Sequence, residues 1–251
     1  MDSKIHNEKI EAQFSKQAKG YTNIVSHSDA LDQLIYLSHA SKEDTVLDVA
    51  CGSGIVACAF AKHVASVTGI DITEGMLNEA KQLQTLRNLE NIKWQTGDVT
   101  ALPYADNSFS IVISRFGFHH FLEPAKVLAE MKRVCKANGI IMIVDVTLPD
   151  SKIDFYNQME KIRDNSHVAA LSHNQFNLLL NESGLRDKTD SSYQMKIELE
   201  EQLKASFPED QQKLKTMILN DIGIDNLGIN VSKENGKVYL HYPIKIYVGK
   251  K

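Results

Sequence analysis

Short apolar runs alternate with stretches of helical period through the first three-fifths of the chain. The segments 46–49, 64–69 (ending in Ile70-Asp71), 92–96, 109–114 and 139–145 are rich in apolar and β-branched residues and bounded by turn-forming ones, which predicts five strands. Between them, Ala57, Ala59, Phe60 and Ala61 suit a helix packed closely on a sheet, and Leu128, Met131 and Val134 recur at helical spacing behind Pro124, a favoured first helical residue. Ahead of the first strand, Ile10, Phe14 and Ala18 share a helical face before Gly20-Tyr21, and Ser28 is placed to cap a second helix carrying Leu31, Leu34, Ile35 and Leu37. From Leu148 the pattern changes. Residues 151–163 and 174–182 predict helices, the second stopped by Gly184, and 193–199 a sixth strand. Residues 200–220 are helical material broken at Pro208, and Asn235-Gly236 is a hairpin turn between 229–233 and 237–248. Strands alternating with helices predict an α/β fold around a mostly parallel sheet. No internal repeat, low-complexity stretch or interdomain linker interrupts it.

The first predicted strand breaks into Ala50-Cys51-Gly52-Ser53-Gly54 just before a helix, as nucleotide-type binding loops do. Gly52 and Gly54 lack a Cβ, so they can take positive φ and let backbone approach a ligand; an ordinary tight turn is the alternative. Asp71 then stands at a strand end 23 positions after Asp48. An acid at this distance accepts hydrogen bonds from ribose hydroxyls in dinucleotide folds. The third strand ends at Gly97-Asp98-Val99, where Asp98 can receive an exocyclic adenine amine and Ile72 and Val99 can sandwich the ring. Three successive strand ends bearing Asp48, Gly52 and Gly54, then Asp71, then Asp98 are more specific than any one, because open α/β sheets bind ligands at the carboxyl ends of their strands.

With 251 residues, 43% hydrophobic and 24% charged, the chain can bury a full α/β core. A formal charge of −4 without a basic block argues against a nucleic-acid partner. Residues 1–20 are too polar for a signal peptide and the apolar run 140–144 is too short to span a bilayer, so no stable membrane insertion is expected. Cys51, Cys58 and Cys135 form neither a C-x-x-C pair nor a disulfide framework, which points to the reducing cytoplasm. The oligomeric state is left open.

The segments VLDVACGSG (46–54), VTGIDIT (67–73), GDVTALPYADNSFSIVISRFGFHH (97–120) and EMKRVCKANGIIMIVDV (130–146) resemble the class I S-adenosylmethionine-dependent methyltransferases. The similarity is to the small-molecule branch that includes the ubiquinone/menaquinone-biosynthesis methyltransferases, and it covers roughly Phe14 to Leu185. It implies a Rossmann-like sandwich with a seven-stranded, mostly parallel sheet whose last strand is antiparallel, plus a helical lid. The implied divisions are a lid over 1–40, a cofactor-binding core over 41–147, substrate-covering helices over 148–190, and C-terminal strands of the same sheet with a helical insertion over 191–251. Ala50 replaces the first glycine of the general motif but is small, and Ala137-Asn138-Gly139 replaces Pro-Gly-Gly, with Asn tolerant of positive φ.

The resemblance also implies roles. Phe14, Gln17 and Tyr21 match F-x-x-Q-A-x-x-Y and would form a lid on the cofactor, or simply pack on the sheet. Arg115 would meet the methionine carboxylate or hold its loop. Of His119 and His120 one should face the methyl group; His120 is favoured by position, as a general base or as a backbone-bonded shaper of the loop. Phe116, Phe118 and Phe121 would wall an apolar acceptor or fill the core. Arg163 to His167 matches R-D-x-S-H, which would orient substrate, with His167 a reserve base, or end a helix through Asn165 and Ser166.

A sulfonium methyl is already activated, so no enzyme nucleophile is needed and no Ser-His-Asp signature is found. Ser114-Arg115-Phe116-Gly117 is not the N/D-P-P-Y/F segment of nucleic-acid and glutamine amino-methyltransferases, and the paired glutamates of protein-arginine enzymes are not recognisable. Asp145, His167 and His173 lack metal-ligand spacing. The expectation is O-, C- or N-methylation of a small, partly apolar metabolite. An adenosylmethionine-binding protein without methyl transfer and a nicotinamide oxidoreductase are the alternatives; the second would want G-x-G-x-x-G where this chain has A-C-G-S-G-I.

Overall fold

The computed structural model describes residues 3–251, apart from the side chains of residues 21–23 and 25. The elements in order are α1 (Ser3–Asn23), α2 (Leu31–Ser38), β1 (Thr45–Val49), α3 (Ile55–Phe60), β2 (Ser66–Asp71), α4 (Glu74–Leu86), β3 (Ile92–Thr96) and β4 (Phe109–Arg115). They continue with α5 (Pro124–Val134), β5 (Cys135–Val146), α6 (Asp150–Arg163), α7 (His173–Glu182), β6 (Arg186–Glu198), α8 (Leu199–Ser206), α9 (Gln211–Asn220), β7 (Ser232–Glu234) and β8 (Lys237–Lys250). Short 3-10 turns occupy Val25–Ser28 and Phe118–His120.

The sheet order is β3-β2-β1-β4-β5-β8-β6. Strands β1 to β5 are parallel, with Asp48 opposite Gly69 and Ile113. Strand β8 runs antiparallel between β5 and β6, with Ile143 opposite Tyr247 and Tyr193 opposite Ile244. This is the expected seven-stranded path, to which β7 adds a short eighth strand paired with β8. The sheet grows from β1 outward to β3, then resumes on the other side of β1 at β4, and such a reversal opens a crevice at the carboxyl ends of the two central strands. Two apolar clusters cover the faces, one including Val46, Phe60, Ile113 and Ile244, the other Leu47, Val112, Phe118 and Met131.

Several boundaries depart from the periodic reading. Ser28 lies in the 3-10 turn and caps nothing; α2 begins after Ala30, held at φ 60. Helix α1 runs through Gly20, whose missing side chain lets α8 approach, since a Cβ there would stand 3.0 Å from the Ala205 Cα. Strand β6 begins at Arg186, seven residues before its apolar alternation starts, because β8 supplies its backbone partners while both faces of this edge stay wet. Ser172 and Gln175 form a reciprocal cap on α7. Asn235 and Gly236, both at positive φ, make the expected hairpin turn.

Gly54 has a packing role distinct from that of Gly52. A Cβ on Gly54 would lie 2.5 Å from Trp94 Cη2 and 2.9 Å from Ala80 Cβ, and one on Gly69 would lie 2.5 Å from the same indole. The two glycines form the slot for the chain's only tryptophan, which Gln84 fixes through a 2.6 Å bond from the indole N–H to Oε1. Gly54→Ala should therefore combine overpacking with the strain of φ +74 and cost about 2–5 kcal/mol in urea unfolding, against about 1–2 kcal/mol for Gly236→Ala, where positive φ is present but nothing lies within 4 Å. Equal losses would contradict the slot.

Candidate active site

The crevice at the reversal is a solvent-open cleft of about 1090 Å³ with the solvent at its mouth included. Its floor is the loop after β1. Ala50 and Gly52 hold φ 56 and 51 there, so the alanine at the first motif position adopts the conformation a glycine would. Asp71, at the end of β2, fixes this loop: its Oδ2 accepts the Gly52 N–H at 2.8 Å while Oδ1 accepts the Thr73 N–H at 2.8 Å. Burial pushes the Asp71 carboxyl up despite these two bonds, and each oxygen retains a lone pair. Asp98 lines the far wall with Val99 and Ile72. Its own burial would raise it, yet the Thr100 N–H (2.8 Å) and Asn7 Nδ2 (3.2 Å) hold it below the usual carboxylate range. Ser53, which carries no distinguishing motif signal, also lines the cleft, its buried Oγ without a partner among the described residues.

Two expected contact residues stand behind this floor. Asp48 does not line the cleft; its Oδ2 accepts the Ala57 N–H at 3.0 Å, tying β1 to α3, and burial pushes its carboxyl up to about 8. Gly54 likewise faces Trp94 instead of the cleft.

A second, solvent-open chamber of about 610 Å³ with the solvent at its mouth included adjoins the cleft, and Phe14, His27, Phe116 and His120 line both. Phe116 is held at φ 59, a left-handed conformation that costs a bulky residue about 1–2 kcal/mol. Arg115 supports this junction. Its guanidinium donates to the carbonyls of His27 (2.5 Å) and Asp29 (3.2 Å) and to the Tyr193 hydroxyl (2.9 Å), and it lies 4.3 Å over the Phe116 ring. Of its two expected roles the loop-holding one is thus occupied, while Nε is buried with no partner among the described residues. Phe118 lines neither space; it is 1% exposed and packs on Phe121 and Phe176 in the core.

The three histidines are divided by their partners. His120 Nδ1 lies 3.2 Å from the Ser166 carbonyl, so it donates and leaves the lone pair on Nε2. Burial and neighbouring His119 push its pKa far below 6.5, keeping it neutral. His119 Nδ1 donates to Asp145 Oδ1 at 2.7 Å, and Asp145 Oδ2 also accepts the His119 N–H. Burial would lower His119, but the Asp145 carboxylate outweighs it and holds the imidazole above 6.5. His119 lines the second chamber alone. His167 lines neither: its Nε2 donates to Asn157 Oδ1 at 2.8 Å, its Nδ1 is buried with no partner among the described residues, and burial pushes its pKa strongly down.

The R-D-x-S-H segment holds this junction together. Asp164 Oδ1 accepts the Ser166 N–H and hydroxyl, at 2.9 and 2.5 Å, which presents the Ser166 carbonyl to His120. Val168 donates its N–H to the His119 carbonyl at 3.0 Å. Arg163 lines the second chamber, ion-paired to Glu160 at 2.5 Å. From α1, Gln17 donates to Asp164 Oδ2 (3.3 Å) and to the Ser206 carbonyl (3.0 Å), and His6 donates to the His120 carbonyl (2.7 Å). Tyr21 lies outside the described side chains. His6, Gln13 and Gln17 were not apparent as site residues from apolar periodicity, although their spacing of seven and four marks one buried polar face of α1.

A doubly wound sheet with its cleft at the reversal defines a Rossmann-like fold with a ligand-sized crevice at its strand ends. Residues 47–143 match the family model described as a methyltransferase domain. The chain is 29% identical over 208 residues to an uncharacterized methyltransferase, YcgJ, of Bacillus subtilis, covering 81% of this chain and 82% of that protein. The solved structure of YcgJ superposes with a TM-score of 0.80 at 27% identity, over 90% of this chain and 98% of that one. A putative methyltransferase from Bacillus halodurans gives a TM-score of 0.79 at 28% identity, over 89% and 99%. The ubiquinone/menaquinone biosynthesis C-methyltransferase UbiE of Bdellovibrio bacteriovorus is 37% identical over 162 residues, 59% of this chain and 68% of that protein. The chain belongs to the methyltransferase family.

The histidine assignments fix a pH dependence. His120 and His167 have depressed folded pKa values, so between those values and about 6.5 only the unfolded chain takes up their protons; stability is full above that point and falls below it, by roughly 1.4 kcal/mol per pH unit for each. His119 opposes them, since its raised folded pKa adds stability that is complete below 6.5 and lost as pH rises through the folded value. His167→Gln keeps a donor for Asn157 and should remove about one such slope from urea unfolding measured between about pH 6.5 and 5. An unchanged acid sensitivity would mean that His167 is not a buried neutral imidazole.

Proposed function

We propose that this protein transfers a methyl group from S-adenosylmethionine, bound in the larger cleft, to an O, C or N atom of a small, partly apolar acceptor in the adjoining chamber, with adenosylhomocysteine as product. The observation that carries this is the shared junction of Phe14, Phe116 and His120 between a nucleotide-type cleft and an adjoining second space. The cleft residues fit the cofactor: Asp71 has lone pairs for ribose hydroxyls, Ile72 and Val99 line the cleft with Asp98 as apolar and polar partners for adenine, and Ser53 Oγ and Arg115 Nε, without partners among the described residues, are polar groups for the amino-acid end. Bound adenosylmethionine would supply an electrophilic methyl that needs no enzyme nucleophile. The protein's work is alignment and exclusion of water, which the half-buried aromatic rings of Phe14 and Phe116 and the buried His120 support.

Where the acceptor must lose a proton, His119 is the better base. Asp145 orients its Nδ1–H and leaves Nε2 for the acceptor chamber, and the carboxylate stabilises the imidazolium that proton capture creates. His120, neutral and fixed by Ser166 and His6, suits the role of a wall between cofactor and acceptor. The antiparallel β8 and the A-C-G-S-G loop disfavour a nicotinamide enzyme. Buried thiols at Cys51, Cys58 and Cys135 support the cytoplasm as the compartment, and no helix among the described residues is long and apolar enough to cross a membrane.

Calorimetry should show adenosylmethionine and adenosylhomocysteine binding, with stabilisation of about 2.7 kcal/mol at a hundredfold their dissociation constants, and no binding of nicotinamide dinucleotides. Asp71→Ala should weaken adenosylhomocysteine at least about tenfold, through the ribose and through the released Gly52. Equal affinity would remove the ribose assignment. With an acceptor found by adenosylhomocysteine release from a library, the rate should rise through a pKa above 6.5, and His119→Ala should lower it roughly 10²- to 10⁴-fold and abolish the inflection at unchanged cofactor affinity. A full rate in that variant would eliminate the base. Cofactor binding without turnover of any acceptor would favour a binding protein that does not transfer methyl groups.

A further inference from the structure

The second chamber contains an imbalance of hydrogen-bonding groups. Three of its polar residues, Glu160, Gln202 and Tyr242, are 2%, 8% and 3% exposed, come from α6, α8 and β8, and each carries a buried side-chain oxygen with no partner among the described residues. Buried polar atoms are nearly always paired, because leaving one without a partner costs its full desolvation. Glu160 Oε2 is taken by Arg163, at 2.7 Å from Nε, whereas Oε1 is idle. Gln202 Oε1 is idle although other polar groups lie on the same wall, and so is the Tyr242 hydroxyl. Three elements distant in sequence thus bring residues with idle oxygens to the lining of one space, beside the apolar Met195 and Ile197.

We propose that Glu160, Gln202 and Tyr242 form a recognition subsite for the acceptor, and that the acceptor is a neutral or protonated molecule with a compact apolar body and at least two hydrogen-bond donors, hydroxyl or amino. This rests on the assignment of the chamber to the acceptor. Two of the three idle atoms can only accept, and the third, a hydroxyl, can do either, so a ligand bearing donors satisfies all three. A carboxylate ligand does not: the chamber's guanidinium is already neutralised by Glu160, and the anion would face Glu160 Oε1 and Gln202 Oε1. The apolar neighbours accommodate the rest of the molecule. Selection then follows from the wall itself, since an analogue whose donors are blocked would leave the buried oxygens idle while displacing any water from them.

The test is calorimetry on protein saturated with adenosylhomocysteine, titrated with catechol, with veratrole (its dimethyl ether) and with benzoate. Catechol should bind at least about tenfold more tightly than either of the others. Tyr242→Phe should weaken catechol by about 3- to 10-fold and Glu160→Gln by about tenfold or more, with adenosylhomocysteine affinity held within about twofold. Tyr242→Phe removes one oxygen and leaves the ring, so it keeps the test sound if Glu160→Gln loosens the fold by freeing Arg163. Veratrole or benzoate binding as tightly as catechol, catechol not binding at all, or catechol affinity unchanged in Tyr242→Phe would each overturn the subsite while leaving the cofactor assignment intact. Failure of the wild type to bind adenosylhomocysteine would instead remove the reading beneath it.

Discussion

The hydrogen bond from the Gly52 N–H to Asp71 Oδ2 is the contact on which the cleft depends. It joins the loop after β1 to the end of β2, and a second backbone bond, from Cys51 N–H to the Ile70 carbonyl at 3.0 Å, runs beside it. The loop can make these bonds only because Ala50 and Gly52 accept positive φ. Asp48 works one layer below, where its buried carboxyl takes the Ala57 N–H and sets the start of α3. Two strand-end carboxylates therefore shape the floor, but Asp71 alone presents itself to the cleft. This organises the site before any ligand arrives, and preorganisation of that kind reduces the ordering that binding must otherwise impose.

The junction with the second chamber is built from the opposite direction in sequence. Residues after α6 reach back to the turn after β4 through the Ser166 carbonyl and the Val168 N–H, and α1 closes over both through His6 and Gln17. The Gln13 and Gln17 side chains share the Ser206 carbonyl at the end of α8, so the first helix, the turn after α6 and the end of α8 are linked by buried hydrogen bonds. Buried networks hold a geometry only when their members are satisfied. Glu160, Gln202 and Tyr242, by contrast, each carry an oxygen without a partner among the described residues.

Much of this was legible in the sequence because its determinants are local. The glycine loop, Asp71, Asp98, the parallel strands and the Asn235-Gly236 turn each carry short-range signals of φ preference or periodicity. The start of β6 was not legible, since R-D-K-T-D-S-S is polar and becomes strand only by pairing with β8. Gly54 looked like a ligand-facing glycine because motif position does not reveal the Trp94 indole above it. Adjacent histidines have the same sequence signal; only the position of Asp145, contributed by β5, separates His119 from His120. His167 sits in a motif with both, yet Asn157 on α6 turns it away from either space.

The most direct measurement is a crystal structure of the protein with adenosylhomocysteine. Both ribose hydroxyls should lie on the Asp71 carboxylate, the adenine between Ile72 and Val99, and the sulfur at the junction lined by Phe116 and His120, directed into the second chamber. Electron density for the ligand with its ribose away from Asp71, or with its sulfur turned from that junction, would contradict it.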